Sequence, residues 1–216
     1  MSRLVSHRKL DKEKPFKMTT KAKFWFDPAC PWAWMTSRWI LDVESQRDIE
    51  VEWNIFSLAV LNEGRELTPE YRARTDKTWG PVRVIAAAKR KHGYEVVLPL
   101  YTVIGNLFHP GAKPIAKETL IEALAIAKLD SSLIDAYEST DFDQDLRDST
   151  KAALDLVGSD VGTPVISVEG VAFFGPVITP APKGAEALKL WDAVVAAASV
   201  PGFFELKRTR TARPQF

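Results

Sequence analysis

Apolar and polar positions change period several times along the chain, and each change marks an element. Lys23-Phe24-Trp25-Phe26 is a short aromatic run that predicts a first strand. Over residues 31–46, Trp34, Ser37, Arg38 and Leu41 recur at three- and four-residue spacing, and Trp39, Ile40 and Val43 widen the apolar stripe into a helix face. Ile49, Val51, Trp53 and Ile55 then alternate with polar residues as far as Phe56, the period of a second, half-buried strand. A strand, a helix and a strand at this spacing make a βαβ unit, whose crossover pairs the strands in parallel.

The period turns helical over residues 68–157. Thr68-Pro69-Glu70 reads as a helix start, with Thr as cap and Pro in the first position. Gly80-Pro81 ends that helix and begins another through Val82, Ile85, Ala86 and Lys89. Residues 118–129, 131–138 and 143–156 carry further amphipathic spacing. Sheet signals return over 161–168, where Glu169-Gly170 is a two-residue turn into Val171-Ala172-Phe173-Phe174, a β-hairpin. Pro164 stands at the head of that hairpin, where proline is tolerated and a cis peptide would be a deliberate feature. A last helix over 185–199 offers Leu188, Leu190, Trp191, Val194 and Val195 for burial.

The chain has 216 residues, 46% of them hydrophobic, enough for one sizeable core. A formal charge of +1 leaves no basic field for nucleic acid or an anionic membrane surface. No stretch approaches the roughly 18 apolar residues of a spanning helix. Residues 1–20 lack the apolar core of an export signal, so the expected address is cytoplasmic; Met18 is an alternative start. Lys89-Arg90-Lys91 reads as a solvated helix end, and Lys207-Arg208-Thr209-Arg210 as a segment that pairs with local acids or stays solvated.

Cys30 is the only cysteine. An internal disulfide and a thiolate-rich metal or iron–sulfur site are therefore excluded; His7, His92 and His109 lie far apart, and no metal is expected. Cys30 follows the first strand, and Pro31 falls at the first helical position, where its missing N–H costs nothing. A cysteine there faces unpaired N–H groups and the positive end of the helix, which favour thiolate and predict a depressed pKa. The alternative is a small buried hydrophobe. The ends of the strands are also where open α/β sheets gather their ligands.

The order β-α-β, helical stretch, β-β-α, with a cysteine after the first strand and Thr163-Pro164 before the third, resembles a thioredoxin fold carrying the large all-helical insertion of DsbA. More closely, Phe26-Asp27-Pro28-Ala29-Cys30-Pro31-Trp32, Ser57-Leu58-Ala59-Val60-Leu61-Asn62-Glu63, Trp79-Gly80-Pro81-Val82-Arg83, Val161-Gly162-Thr163-Pro164, Val171-Ala172-Phe173-Phe174-Gly175-Pro176-Val177 and Phe204-Glu205-Leu206-Lys207-Arg208-Thr209-Arg210 resemble the actinobacterial branch of the DsbA family. That branch comprises cytosolic mycothiol-dependent oxidoreductases and nitroreductases, and the resemblance spans residues 23–216. It implies an α/β fold with a thioredoxin-like domain (22–67 and 158–216), a helical insertion domain (68–157) and a flexible extension (1–21).

The family motif is Cys-Pro-Trp-Cys, and here Ala33 takes the last place. Exchange through a dithiol ends when a resolving cysteine expels the substrate. With none present, the resemblance implies a single-cysteine cycle in which mycothiol, a cosubstrate rather than a bound cofactor, restores Cys30. Ala33 is equally readable as a natural residue or as an engineered trap. Thr163 and Pro164 match the Thr–cis-Pro that faces the cysteine in thioredoxin folds, and Pro31 and Trp32 complete the motif. Asn62 and Tyr71 match positions that the family sets near the cysteine, where an amide and a phenol orient a sugar-containing thiol or a nitro-aromatic substrate. A turn-forming Asn and a helix-packing Tyr are the alternatives. His109 is either a proton carrier in the cleft or a helix cap. Trp25, Trp32, Trp34, Trp79, Phe173 and Phe174 offer an aromatic wall, or core, and a surface for a homodimer. Two other classes stay open: an enzyme like glutathione transferase kappa or hydroxychromene-carboxylate isomerase, which activates a bound thiol without forming a disulfide, and a non-catalytic binding protein of the same fold.

Overall fold

The computed structural model describes residues 19–216, and its sheet is built on strand β1 (Thr20–Phe26). Helix α1 (Pro31–Glu44) crosses to β2 (Ile49–Ile55), which pairs with β1 in parallel, with Thr20 opposite Ile49 and Phe26 opposite Ile55. β1 begins three residues before the predicted Lys23. Lys21 and Lys23 alternate with Ala22 and Phe24 and form ion pairs with Glu50 and Glu52 across the pair, so the basic approach is itself strand. Of the expected extension 1–21, residues 1–18 lie outside the described residues, and Thr20 and Lys21 belong to β1.

Helix α2 (Leu58–Leu61) is a single turn, followed by α3 (Pro69–Asp76), α4 (Trp79–His92), a 3-10 turn (Tyr94–Val96), α5 (Val97–Phe108), α6 (Lys117–Ile126), a 3-10 stretch (Ser131–Tyr137) and α7 (Asp143–Val157). Thr68 caps α3 by accepting from the Tyr71 N–H, with Pro69 behind it. Gly80 and Pro81 lie inside the first turn of α4, where a missing N–H is harmless, so the helix starts just before them rather than after. The chain then returns to the sheet as β3 (Val165–Val168) and β4 (Val171–Phe174), giving the strand order β2-β1-β3-β4 with β3 antiparallel to both neighbours. Glu169 and Gly170 have φ of 49° and 90°, a turn whose twist suits a two-residue hairpin. Helix α8 (Gly184–Ala198) closes the chain order.

The sheet is covered on both faces. α1 and α8 pack on one face, where the Trp39 indole donates to the Ala187 carbonyl at 3.0 Å and lies 6.2 Å from Trp191. Trp25, Phe56 and Val165 pack against Ala153 of α7 on the other. α5 is tied to the sheet by Tyr101, stacked on Phe26 with centroids 3.7 Å apart. Phe24 and Phe26 are fully buried, each contributing about 1.5–3 kcal/mol. A bidentate, partly buried Arg83–Asp143 pair at 2.7 and 2.8 Å joins α4 to α7. In the last turn of α4, Arg90 and Lys91 lie on the surface and pair with Asp145 and Asp130. No helix among the described residues is long and apolar enough to cross a membrane.

Candidate functional site

The turn after β1 is built by Asp27. Its carboxylate is fully buried and accepts from the Ala29 N–H and the Leu58 N–H, both at 2.8 Å, while its carbonyl accepts from the Cys30 N–H. These bonds bring the end of β1, the cysteine turn and the start of α2 into one unit. Burial pushes the Asp27 carboxyl up to about 7, against the two backbone N–H bonds that pull it down. Sequence reasoning places Asp27 within the cysteine motif but gives it no role; the signal it carries is an acid at the end of an apolar strand.

Cys30 is the N-cap of α1, extended at φ −85° and ψ 112°, with Pro31 behind it. Its Sγ accepts from the Ala33 N–H at 3.4 Å, as a capping side chain does, and donates to the Thr163 carbonyl at 3.4 Å. Thr163 is fixed in turn, its hydroxyl donating to the Trp25 carbonyl at 2.9 Å, and the Thr163–Pro164 peptide is cis. The Pro164 carbonyl accepts from the Gly175 N–H at 2.8 Å, so the segment ahead of β3 is braced by the one after β4. The cysteine, Ala33 and the Thr163 carbonyl therefore meet where the end of β1 and the start of β3 face the start of α1.

The acidity of the thiol departs from expectation. Cys30 is only 7% exposed, and burial pushes its thiol up to about 12. The Ala33 N–H lowers it and the buried Asp27 carboxylate raises it further, so the helix end is outweighed by loss of water. In this conformation Cys30 is a protonated donor to Thr163.

The other predicted residues divide. Ala33 is fully buried, its N–H aimed at Cys30, while Pro31 and Trp32 are partly exposed beside it. Asn62 is buried and caps α2, its amide donating to the Leu58 carbonyl at 2.7 Å and its backbone carbonyl accepting from Arg72. Tyr71 is 48% exposed on α3. His109 follows α5 as its cap and is buried; its Nε2 lies 3.0 Å from the Pro28 carbonyl, which can only accept, so that nitrogen carries the proton. Burial lowers its pKa to about 4, which makes it a fixed neutral donor rather than a proton carrier near neutral pH.

Of the aromatic wall, Trp25 and Trp34 belong to the core, and Trp79 packs with Arg83. Trp34 is held between Arg38, 3.9 Å from its ring, and His109 at 5.7 Å. It reaches there because α5 presents Gly105, where any Cβ would overlap the indole. The basic segment 207–210 stays exposed to solvent, with Arg210 5.3 Å from the Trp32 ring centroid, and Phe216 lies 5.4 Å from that of His109.

Comparison with known proteins agrees with this fold. "Probable DsbA oxidoreductase SCO1869" from Streptomyces coelicolor superposes with a TM-score of 0.58 at 16% identity, covering 89% of this chain and 94% of that one. The cytosolic disulfide reductase DsbM from Pseudomonas aeruginosa, solved with GSH, gives 0.55 at 12% identity over 82% of this chain and 99% of that one. Both likenesses bear on the fold, which is the DsbA-type thioredoxin fold. An uncharacterized protein of Mycobacterium tuberculosis (strain ATCC 25618 / H37Rv), Rv2286c, is 30% identical over 195 residues, 89% of this chain and 83% of that protein. The description "Rv2466c-like: Mycothiol-dependent nitroreductase Rv2466c" matches residues 29–208. With its cysteine turn, its Thr163–Pro164 segment and that match in place, the chain belongs to the Rv2466c-like family.

Proposed function

We propose that this protein is a thiol–disulfide oxidoreductase that works through Cys30 alone, with mycothiol as its thiol cosubstrate. The supporting observation is Cys30 Sγ at the start of α1, within 3.4 Å of both the Ala33 N–H and the Thr163 carbonyl. Once the site opens to water, the desolvation that protonates the thiol falls away, and the Ala33 N–H and the helix end remain to hold a thiolate. That thiolate attacks the mycothiol sulfur of a mycothiolated substrate, forming a Cys30–mycothiol disulfide while the substrate leaves as a thiolate and takes up a proton. A second mycothiol, deprotonated, attacks the mycothiol sulfur of the adduct. Mycothiol disulfide departs and the Cys30 thiolate returns. One free mycothiol sulfur is oxidised, joining the mycothiol sulfur already in disulfide form, one substrate sulfur is reduced to a thiol, and no second cysteine is used.

The Thr163 carbonyl, freed from the thiol, offers an acceptor to the backbone or amide of the incoming thiol. The cycle suits the reducing cytoplasm, where thiols are kept reduced. Its test is turnover of a mycothiol–peptide mixed disulfide in the presence of mycothiol. The parent protein is expected to accelerate peptide release and Cys30→Ser to give none above background; equal rates in the two would overturn the proposal. An enzyme that merely activates a bound thiol would turn over its substrate without ever carrying an adduct.

A further inference from the structure

Residues 203–216 form no helix or strand, yet they run across the site. Phe203 packs on Phe173 of β4 with ring centroids 5.8 Å apart. Arg210 then lies over Trp32, and the Gln215 N–H donates to the Thr179 hydroxyl at 2.8 Å, which itself donates to the Arg213 carbonyl at 3.4 Å. Phe216 ends against His109, the side chain that donates to Pro28 two residues before the cysteine. The segment thus starts beside the sheet edge, passes the first turn of α1 and finishes on the residue after α5.

We propose that residues 203–216 are a strap that closes over Cys30 and must lift before a thiol or disulfide reaches it. Beyond the packing of Phe203 on Phe173, three contacts, at Trp32, Thr179 and His109, hold it down on different elements around one buried sulfur. Each is weak: an exposed cation–π contact, a hydrogen bond near solvent and a half-exposed aromatic pair. Between its anchors the strap is unsupported, since Phe204 and Leu206 are 86% and 89% exposed. A segment held so lightly opens by itself at low free-energy cost. Arg210 is a cation whose field favours thiolate at Cys30, so the closed strap excludes water while still placing positive charge near the sulfur. Its use as a gate for exchange rests on the function proposed above; the cover itself does not.

The test is the second-order rate at which iodoacetamide modifies Cys30 in the full chain, read by intact mass. Thr179→Val combined with Phe216→Ala removes two latches and leaves Arg210 in place, and is expected to raise the rate about tenfold. Phe204→Ala, on the strap but clear of its anchors, is expected to leave the rate unchanged, with circular dichroism confirming that both variants keep the parent fold. A double variant within twofold of the parent would overturn the strap. Exposure of the same variants to oxidised mycothiol separates the two proposals. Faster alkylation with no adduct retains the strap and removes the exchange function, whereas adduct formation with unchanged alkylation does the reverse.

Discussion

Replacing Asp27 by asparagine probes how the site turn is paid for in stability. The carboxyl titrates near 3.8 in an unfolded chain and is pushed up to about 7 by burial in the folded one. Between those values the folded protein holds a proton that the unfolded chain has released. Stability is therefore full below about pH 4, falls as pH rises towards 7 and is flat above it. At about 1.36 kcal/mol for each of roughly three pH units, the loss is about 4 kcal/mol. An amide side chain at this position cannot titrate, so in Asp27→Asn that slope disappears. The amide retains an acceptor for the Ala29 N–H but turns its NH2 group towards the Leu58 N–H, leaving a buried donor unpaired at a cost of about 1–3 kcal/mol. The variant is thus less stable than the parent at about pH 4 and more stable at about pH 8, with the two curves crossing between about pH 4.5 and 6. Urea denaturation followed by tryptophan fluorescence across that range measures the difference, in which every other titrating group cancels. A difference independent of pH would refute the reasoning.

Two further outcomes follow from packing and burial. Gly105→Ala would drive a Cβ into the Trp34 indole, so it is expected to destabilise the protein by about 1–3 kcal/mol despite alanine's better helix propensity; a higher Tm would mean that α5 and α1 do not approach so closely. With burial pushing the Cys30 thiol up to about 12, alkylation of the resting protein is expected to keep accelerating with pH past about 8.5, the usual thiol value, and a plateau by about pH 7 would contradict the closed geometry.

Local patterns in the chain reach the fold because its elements are local. The alternation of Ile49 to Ile55, the Thr68-Pro69 cap and the Glu169-Gly170 turn each state their structure within a few residues. β1 begins earlier than predicted because Thr20, Lys21 and Ala22 carry no apolar run of their own, and it is pairing with Ile49, Glu50 and Val51 on β2 that makes them strand. At the site the same limit holds. Pro31 marks Cys30 as a helix cap, but the acidity of the thiol depends on how much water reaches it, which Thr163, 133 positions away, helps to decide. His109 and Asn62 are legible as residue types capable of site chemistry. Their bonds to the Pro28 and Leu58 carbonyls exist only once α5 and α2 are in place. Arg210 reads as one charge in a basic run, and nothing nearby in sequence points it at Trp32.

The most direct test of the exchange function is intact mass after the reduced protein meets mycothiol disulfide. Exchange through Cys30 predicts one mycothiol per chain, attached at Cys30, absent in Cys30→Ser and removed by excess mycothiol. A parent protein that stays unmodified, while the same chain unfolded in urea takes the adduct, would contradict it.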